Sequence, residues 1–208
     1  MKRPVIIIGN GGHSKVLMNV LQLMKREVIG FTAPEREENP YGLPYLGSDE
    51  AIFEFNKCNV ELVNGLGSAS STKPRAAVYE AFKLRGYSFL TVLHPSAIIA
   101  DTVKIGEGVQ IMAGTVVQPF AQIDDNTIVN TSASVDHDCH IGKHCHIAPG
   151  TVLCGGVSVG AGTHIGTRTA VIQNINIGRN VLVGAGSLLL NDVSDGMKVY
   201  GTPVKGSE

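Results

Sequence analysis

From Ile99 to Leu189 an aliphatic residue recurs at every sixth position: Ile99, Ile105, Ile111, Val117, Ile123, Val129, Val135, Ile141, Ile147, Leu153, Val159, Ile165, Val171, Ile177, Val183 and Leu189. Two residues before most of these stands a small or β-branched side chain, among them Val103, Thr115, Thr127, Cys139, Cys145, Thr163 and Ser187. Positions i and i−2 therefore share one face, as strands with a two-residue period require. Glycine often follows the aliphatic residue, as at Gly106, Gly142, Gly160, Gly166, Gly178 and Gly184. A fixed hexapeptide period with glycine-bearing turns predicts a parallel β-helix, each coil burying its aliphatic rung on the one below.

Upstream of the ladder the pattern changes. Val5 to Ile8 is a continuous apolar run that reads as a buried strand, and Gly9-Asn10-Gly11-Gly12 follows it. Val16, Leu17, Val20, Leu21 and Met24 then fall at helical spacing. Residues 28–31 predict a second strand, and a Pro- and Glu-rich loop reaches Gly47. Ser48 is placed to cap a short helix with Asp49 and Glu50 in its first turn. Residues 60–63 predict a third strand. Ser71 or Thr72 caps a helix through Ala77, Val78, Ala81 and Phe82 to a stop at Gly86, and residues 87–93 predict a fourth strand. Strands alternating with helices imply a small parallel α/β domain over residues 1–93, with the β-helix and a tail in residues 94–208.

Composition narrows the partners. The net charge is −1 and no basic run occurs among the 208 residues, so neither nucleic acid nor an anionic membrane is expected. The apolar run at residues 5–8 is too short for a signal peptide or a membrane span, which predicts a cytoplasmic protein. Cys139 and Cys145 fall on inward positions, and Cys58 and Cys154 have no CxxC partner; reduced, packed thiols are expected rather than disulfides or a zinc site. Sparse charge along the ladder and flat β-helix flanks predict a homotrimer with active sites between protomers.

The glycine loop is a poor dinucleotide fingerprint, because Ser14 stands where GxGxxG needs glycine and no lone acidic residue closes the second strand. Its free N–H groups and the helix dipole suit a phosphate or another polar group. A plain strand-to-helix turn is the other reading.

The ladder resembles the hexapeptide-repeat acyltransferase superfamily, whose left-handed β-helix carries three hexads per triangular coil and stacks residues eighteen apart. Gly9-Asn10-Gly11-Gly12-His13-Ser14-Lys15-Val16, Val63-Asn64-Gly65 and His94-Pro95-Ser96-Ala97 together resemble the sugar O-/N-acetyltransferase family of sialic acid O-acetyltransferases and nucleotide-aminosugar N-acetyltransferases. The resemblance implies a Rossmann-like first domain that holds a nucleotide-sugar through Gly11, Gly12, His13 and Gly65. It implies transfer of acetyl from acetyl-CoA to an amine or hydroxyl of that sugar, without a metal, in surface-glycan biosynthesis. The family usually ends strand two with an acidic pair; Thr32-Ala33 stands here, which leaves the nucleotide open.

Five of the seven histidines lie between residues 137 and 164. His140, His146 and His164 each precede a ladder residue and should point outward, with His146 and His164 stacked. For His140, His144 and His164 a solvated or assembly-buried role is expected. His137 falls at a hexad corner. The string Asn130-Thr131-Ser132-Ala133-Ser134-Val135-Asp136-His137-Asp138-Cys139, with Ile141-Gly142 and His146 beyond, resembles the family's catalytic segment. That match implies His137 as general base and Asp138 as its orienting carboxylate. It implies His146 and the Gly155 N–H on the acetyl group, backbone contacts from Thr167 and Ala185 to coenzyme A, and Asn130 near the acceptor. The closing Gly201-Thr202-Pro203-Val204-Lys205 would bring Lys205 to a coenzyme A phosphate. Two rivals stand beside this reading. A γ-class carbonic anhydrase-like enzyme would hold zinc with histidines from neighbouring subunits, but such enzymes lack the α/β domain. A non-catalytic trimeric ligand-binding scaffold would leave His137, Asp138 and His146 without a role.

Overall fold

The computed structural model describes residues 2–68, 71–202 and the backbone of 204–205. The first third is a parallel sheet of order β3-β2-β1-β4, formed by β1 (Val5–Ile8), β2 (Val28–Thr32), β3 (Tyr45–Gly47) and β4 (Glu61–Asn64). The all-apolar β1 is central and fully buried, as a strand covered on both faces must be. Helix α1 (Gly12–Leu23) packs Leu17, Met18 and Leu21 on one face of the sheet, and α2 (Lys73–Leu84) sets Tyr79 and Phe82 on the other.

Five local expectations change. Val16 is 46% exposed, because Ser14 turns inward to place Oγ 2.8 Å from the Gly9 carbonyl and 3.0 Å from that of Gly65, which rotates the apolar stripe of α1. β3 emerges from the loop that its prolines and glycines disguised. Asp49–Glu54 is a 3₁₀ turn, and Ser48 bonds the Glu50 carboxylate instead of capping it. Of the two residues expected to cap α2, Ser71 Oγ accepts the Lys73 N–H at 3.2 Å, whereas the Thr72 hydroxyl donates to the Gly162 carbonyl at 2.8 Å and docks the helix on the β-helix. Residues 87–93 also divide: Phe89 bridges Leu62 in the first sheet, while Val92–Leu93 pairs with Gln110–Ile111 as the first rung of the β-helix.

From there two-residue rungs stack in parallel register eighteen residues apart, as in Gln122↔His140↔Ser158, in sheets of five, six and eight strands; the last sheet ends on Lys198–Gly201, which pairs with Leu182–Val183 sixteen residues back, and on the antiparallel Val204–Lys205. Every ladder residue from Ile111 to Leu189 is at most 3% exposed. The inward i−2 side chains tie coil to coil: Thr127 and Thr163 donate to the carbonyls of Gly142 and Gly178 at 2.8 and 2.7 Å, and the thiols of Cys139 and Cys145 to those of Cys154 and Gly160 at 3.2 Å. The glycines after the ladder residues do not supply the turns. A Cβ on Gly160 or Gly166 would lie 2.6 Å from the backbone nitrogen of Arg179 or Ala185, so they permit coils to approach. The turn itself falls two residues later, where fourteen successive hexads from Gly108 to Gly186 adopt left-handed backbone with φ of 53–74°.

The three outer faces differ in chemistry. The five-stranded face is polar, with Lys104, Gln122, His140, Ser158 and Asn176 outward. The six-stranded face carries Ile98, Val116, Ser134, Val152, Ala170 and Leu188. The eight-stranded face is covered by the α/β domain, which buries Gln110, Ile128, His146 and His164. No helix among the described residues is long and apolar enough to cross a membrane.

Candidate active site

The turn over residues 136–139 joins the six-stranded sheet to the five-stranded one and carries His137. Asp138 occupies the left-handed position, which aspartate tolerates better than most residues, and this sets its Oδ2 2.8 Å from His137 Nδ1. Both side chains are about 60% exposed. The Asp138 hydrogen bond raises the His137 pKa above its ordinary value, burial opposes it weakly, and Asp136 adds to the rise. With Nδ1–H donated to Asp138, the free lone pair lies on Nε2, the tautomer a general base needs. The ring rests on the next coil at Gly155, where a Cβ would fall 2.5 Å from Nε2.

A second group lies on the covered eight-stranded face. His146 Nδ1 is 2.5 Å from Ser68 Oγ and 3.1 Å from the Ser68 carbonyl, Nε2 is 3.0 Å from Asn130 Nδ2, and the ring meets His164 edge-on at 4.9 Å. Asn130 Oδ1 accepts the Thr131 N–H at 2.8 Å, so its amide nitrogen faces the imidazole. His146 Nε2 is therefore an acceptor and Nδ1–H donates to Ser68. Burial pushes its pKa down to about 3, helped by His164, His13 and Arg75, and the ring is neutral. His146 and His164 are thus covered by the chain's own α/β domain, not solvated, while His140 is exposed beside Asp124 and His144 pairs with Glu80 of α2 at 2.9 Å. Among the described residues of one chain His137 and His146 share no partner; they lie on a different edge and face of the prism.

At the glycine loop, Gly11 caps α1 without a side chain, and a Cβ on Gly11 or Gly12 would meet nothing within 4 Å. His13 Nε2 lies 2.7 Å from Gln110 Oε1; because Gln110 donates its own amide to the Asn64 carbonyl at 2.8 Å, His13 gives up its proton-bearing nitrogen and keeps Nδ1 as an acceptor. Burial lowers its pKa to about 4. Gly65 admits no side chain, since a Cβ would collide with Ser14 and the Ile8 carbonyl. Thr167 and Ala185 stack one coil apart on the edge between the eight- and six-stranded sheets; the Gly186 N–H meets the Thr167 carbonyl at 2.7 Å. Lys205 pairs through its backbone with Tyr200, and its side chain lies outside the described residues.

Two groups escaped the sequence reading. Asp49 brings a carboxylate to the end of β2, accepting the Thr32 hydroxyl at 2.6 Å, so an acid reaches the place where Thr32-Ala33 has none. Its only sequence signal was its place after Ser48. Arg75 is fully buried between α2 and the β-helix and bonds the Asn126 carbonyl, and burial lowers its pKa to about 9. A single arginine on a helix gives no sign of this.

Two family models match the chain: the PglD N-terminal domain over residues 4–82, and the bacterial transferase hexapeptide model of six repeats over residues 120–155. The acetyltransferase domain of PglB from Neisseria gonorrhoeae, solved in complex with acetyl coenzyme A, is similar with a TM-score of 0.94 at 30% identity over 100% of both chains. The chain belongs to the hexapeptide-repeat sugar acetyltransferase family. A second similar member of this acetyltransferase family is a variant of perosamine N-acetyltransferase from Caulobacter crescentus in complex with CoA and GDP-perosamine, with a TM-score of 0.92 and 33% identity over 100% of this chain and 98% of that one. UDP-N-acetylbacillosamine N-acetyltransferase of Bacillus subtilis is 34% identical over 113 residues, 52% of this chain, and the match spans 51% of that relative's length. The bacterial transferase hexapeptide match spans Asn130, His137, Asp138, His146 and Gly155.

Proposed function

We propose that the protein transfers acetyl from acetyl-CoA to an amine on a nucleotide-linked sugar, in the cytoplasm and as a homotrimer. The observation that carries this is the His137–Asp138 pair at an exposed corner, whose Nδ1 is taken at 2.8 Å, which leaves Nε2, beside Gly155, as the free acceptor. The amine attacks the thioester carbonyl as Nε2 accepts its proton; the tetrahedral intermediate then expels the coenzyme A sulfur, which leaves as the thiol once protonated. The Gly155 N–H is a donor for the charge that builds on the carbonyl oxygen; His146, expected on the acetyl group, has no proton to give it, because Nδ1–H goes to Ser68 and Nε2 accepts from Asn130, and the second N–H of Asn130 Nδ2 takes that place. Thr167, Ala185 and Lys205 hold coenzyme A; Gly11, Gly12, His13 and Gly65 hold the nucleotide-sugar. Residues 1–93 then serve the acceptor and residues 94–208 the donor.

The apolar six-stranded face supports the trimer. Ile98 is 68% exposed and Val152 43% in the isolated chain, and Ser134 alone interrupts the stripe. Cyclic packing of that face against a neighbour covers it and brings the His137 edge of one protomer toward the His146 group of the next.

A thiol-release assay with acetyl-CoA tests the reading across UDP-, GDP-, CMP- and dTDP-linked amino sugars, with free amino sugars and sialic acids alongside. Turnover on at least one nucleotide-linked amine is expected. Turnover of free sugars only would overturn the nucleotide half, and silence across the panel in protein carrying stoichiometric zinc would favour the anhydrase.

A further inference from the structure

Phe120 is out of place in this fold. The left-handed position of each hexad is filled by Gly, Asn, Ser, Asp, His or Arg from Gly108 to Gly186, and Phe120, with φ of 63°, is the only apolar residue among them. Left-handed backbone strains a bulky L-residue, and this ring is in addition 62% exposed. It contributes nothing to the core. A strained residue that the fold does not require is a pointer to function.

Its position says which function. Phe120 lies on the same edge of the prism as His137, one coil lower: the Asp138 N–H donates to the Pro119 carbonyl at 3.2 Å, so Phe120 sits directly beneath Asp138, about one strand spacing of 4.8 Å away. Gly155 stacks on the opposite, upper side of His137, and the other donor positions, Thr167 and Ala185, lie in the coils above. These donor positions lie on the neighbouring edge and in higher coils, which leaves the part of the His137 edge below the ring, at Phe120, open to the acceptor. The part of the acceptor nearest its amine is the sugar ring.

We propose that Phe120 is a stacking platform for the acceptor sugar. The apolar C–H face of the pyranose lies on the phenyl ring while the amine meets His137, and the nucleotide stays with the neighbouring protomer's α/β domain. This rests on the acetyl-transfer reading and adds to it a residue that selects the sugar and ignores the nucleotide. Aromatic rings recognise such faces through area and edge polarity, without a formal charge. Sugars with fewer hydroxyls on that face are preferred.

The test compares wild type with Phe120→Tyr, which keeps a ring, and Phe120→Asn, which suits left-handed backbone and so preserves the fold. Steady-state kinetics use acetyl-CoA and the nucleotide-linked amino sugar that turns over fastest in the panel, and light scattering follows the assembly. Phe120→Asn should raise the acceptor KM about tenfold, as loss of one aromatic stacking contact implies, with the acetyl-CoA KM and the oligomer unchanged. Phe120→Tyr should stay within about twofold of wild type. An unchanged acceptor KM in Phe120→Asn overturns the proposal, as does a dissociated oligomer, which would make the ring an assembly contact, or a rise in the acetyl-CoA KM alone. Wild-type protein that releases no thiol with any acceptor would overturn the acetyl-transfer reading itself, and this proposal with it.

Discussion

Gly155→Ala tests the proposed base without touching it. A methyl group at Gly155 would sit 2.5 Å from His137 Nε2 and 2.6 Å from Cε1, roughly 0.9 Å inside ordinary van der Waals contact. Gly155 has φ outside the left-handed region, so alanine itself fits the backbone and the strain falls on the ring. Because His137 is about 60% exposed, the imidazole can swing outward at little expense in stability. A displacement of about 1 Å in a positioned catalytic group lowers rate by about 10²-fold. The expected result is therefore a kcat down by about two orders of magnitude with a melting temperature within about 2 °C of wild type, since surface changes rarely exceed ~0.5 kcal/mol. Thiol release at saturating acetyl-CoA measures it. The double variant with His137→Ala should be no slower than His137→Ala alone, because both changes act on one group. Gly155→Ala within twofold of wild type, or a double variant slowed by the product of the two, would refute the placement of the ring.

His137→Ala should lower kcat by about 10²–10⁴-fold with acetyl-CoA affinity nearly unchanged, whereas His140→Ala, exposed beside Asp124, should match wild type; steady-state kinetics with a binding titration compare them. The kcat/KM of the wild type should fall as pH drops through the raised His137 pKa, so its acid limb lies above the ordinary imidazole value of about 6.5, and Asp138→Asn should move that limb to lower pH. Thr163→Val, which removes a donor to the Gly178 carbonyl at 2.7 Å and an acceptor for the Val181 N–H at 3.0 Å, should cost about 1–3 kcal/mol in urea unfolding. His13 and His146 are buried neutral with pKa values near 4 and 3, so the unfolded chain binds more protons below about pH 6.5 and stability falls as pH drops, by on the order of 2 kcal/mol per residue at pH 5. A melting temperature that stays flat between pH 7.5 and 5 would contradict that burial.

The ladder was legible because the β-helix repeats one decision at every coil: an aliphatic residue that fails to point inward would break the stack above and below it. The α/β elements were legible where apolar runs were long, as in β1, and illegible where tertiary contacts outweighed local preference. Thr72 was one of two residues placed to cap α2 and instead bonds Gly162, ninety residues away. β3 has three half-buried residues in a loop of prolines and glycines, too short to carry a period. The turn was misplaced by two residues, since Gly106 and its equivalents signal close approach of coils with the same letter that signals left-handed backbone. At the site, the adjacency of His137 and Asp138 could be seen in the sequence, whereas the Ser68–His146–Asn130 chain and the Thr32–Asp49 pair depend on the folding of one segment over another.

The two histidines of the proposed site differ in charge behaviour because only one is covered. His137 stands at an open corner beside a carboxylate, and its pKa rises; His146, nine residues on, lies beneath the α/β domain, and its pKa falls to about 3. What covers His146 is the loop that leaves β4 through Ser68, the same strand end whose Gly65 crowds against the glycine loop. The α/β domain thus contributes to the β-helix site by excluding water from it and fixing a neutral imidazole, in addition to any ligand it holds. Without that domain, Gln110, Ile128, His146 and His164 would all meet solvent, and His146 would titrate near the ordinary imidazole pKa and carry charge below it. A neutral, preset acceptor at Nε2 is what keeps the Asn130 amide aimed, so the α/β domain and the β-helix form one electrostatic unit.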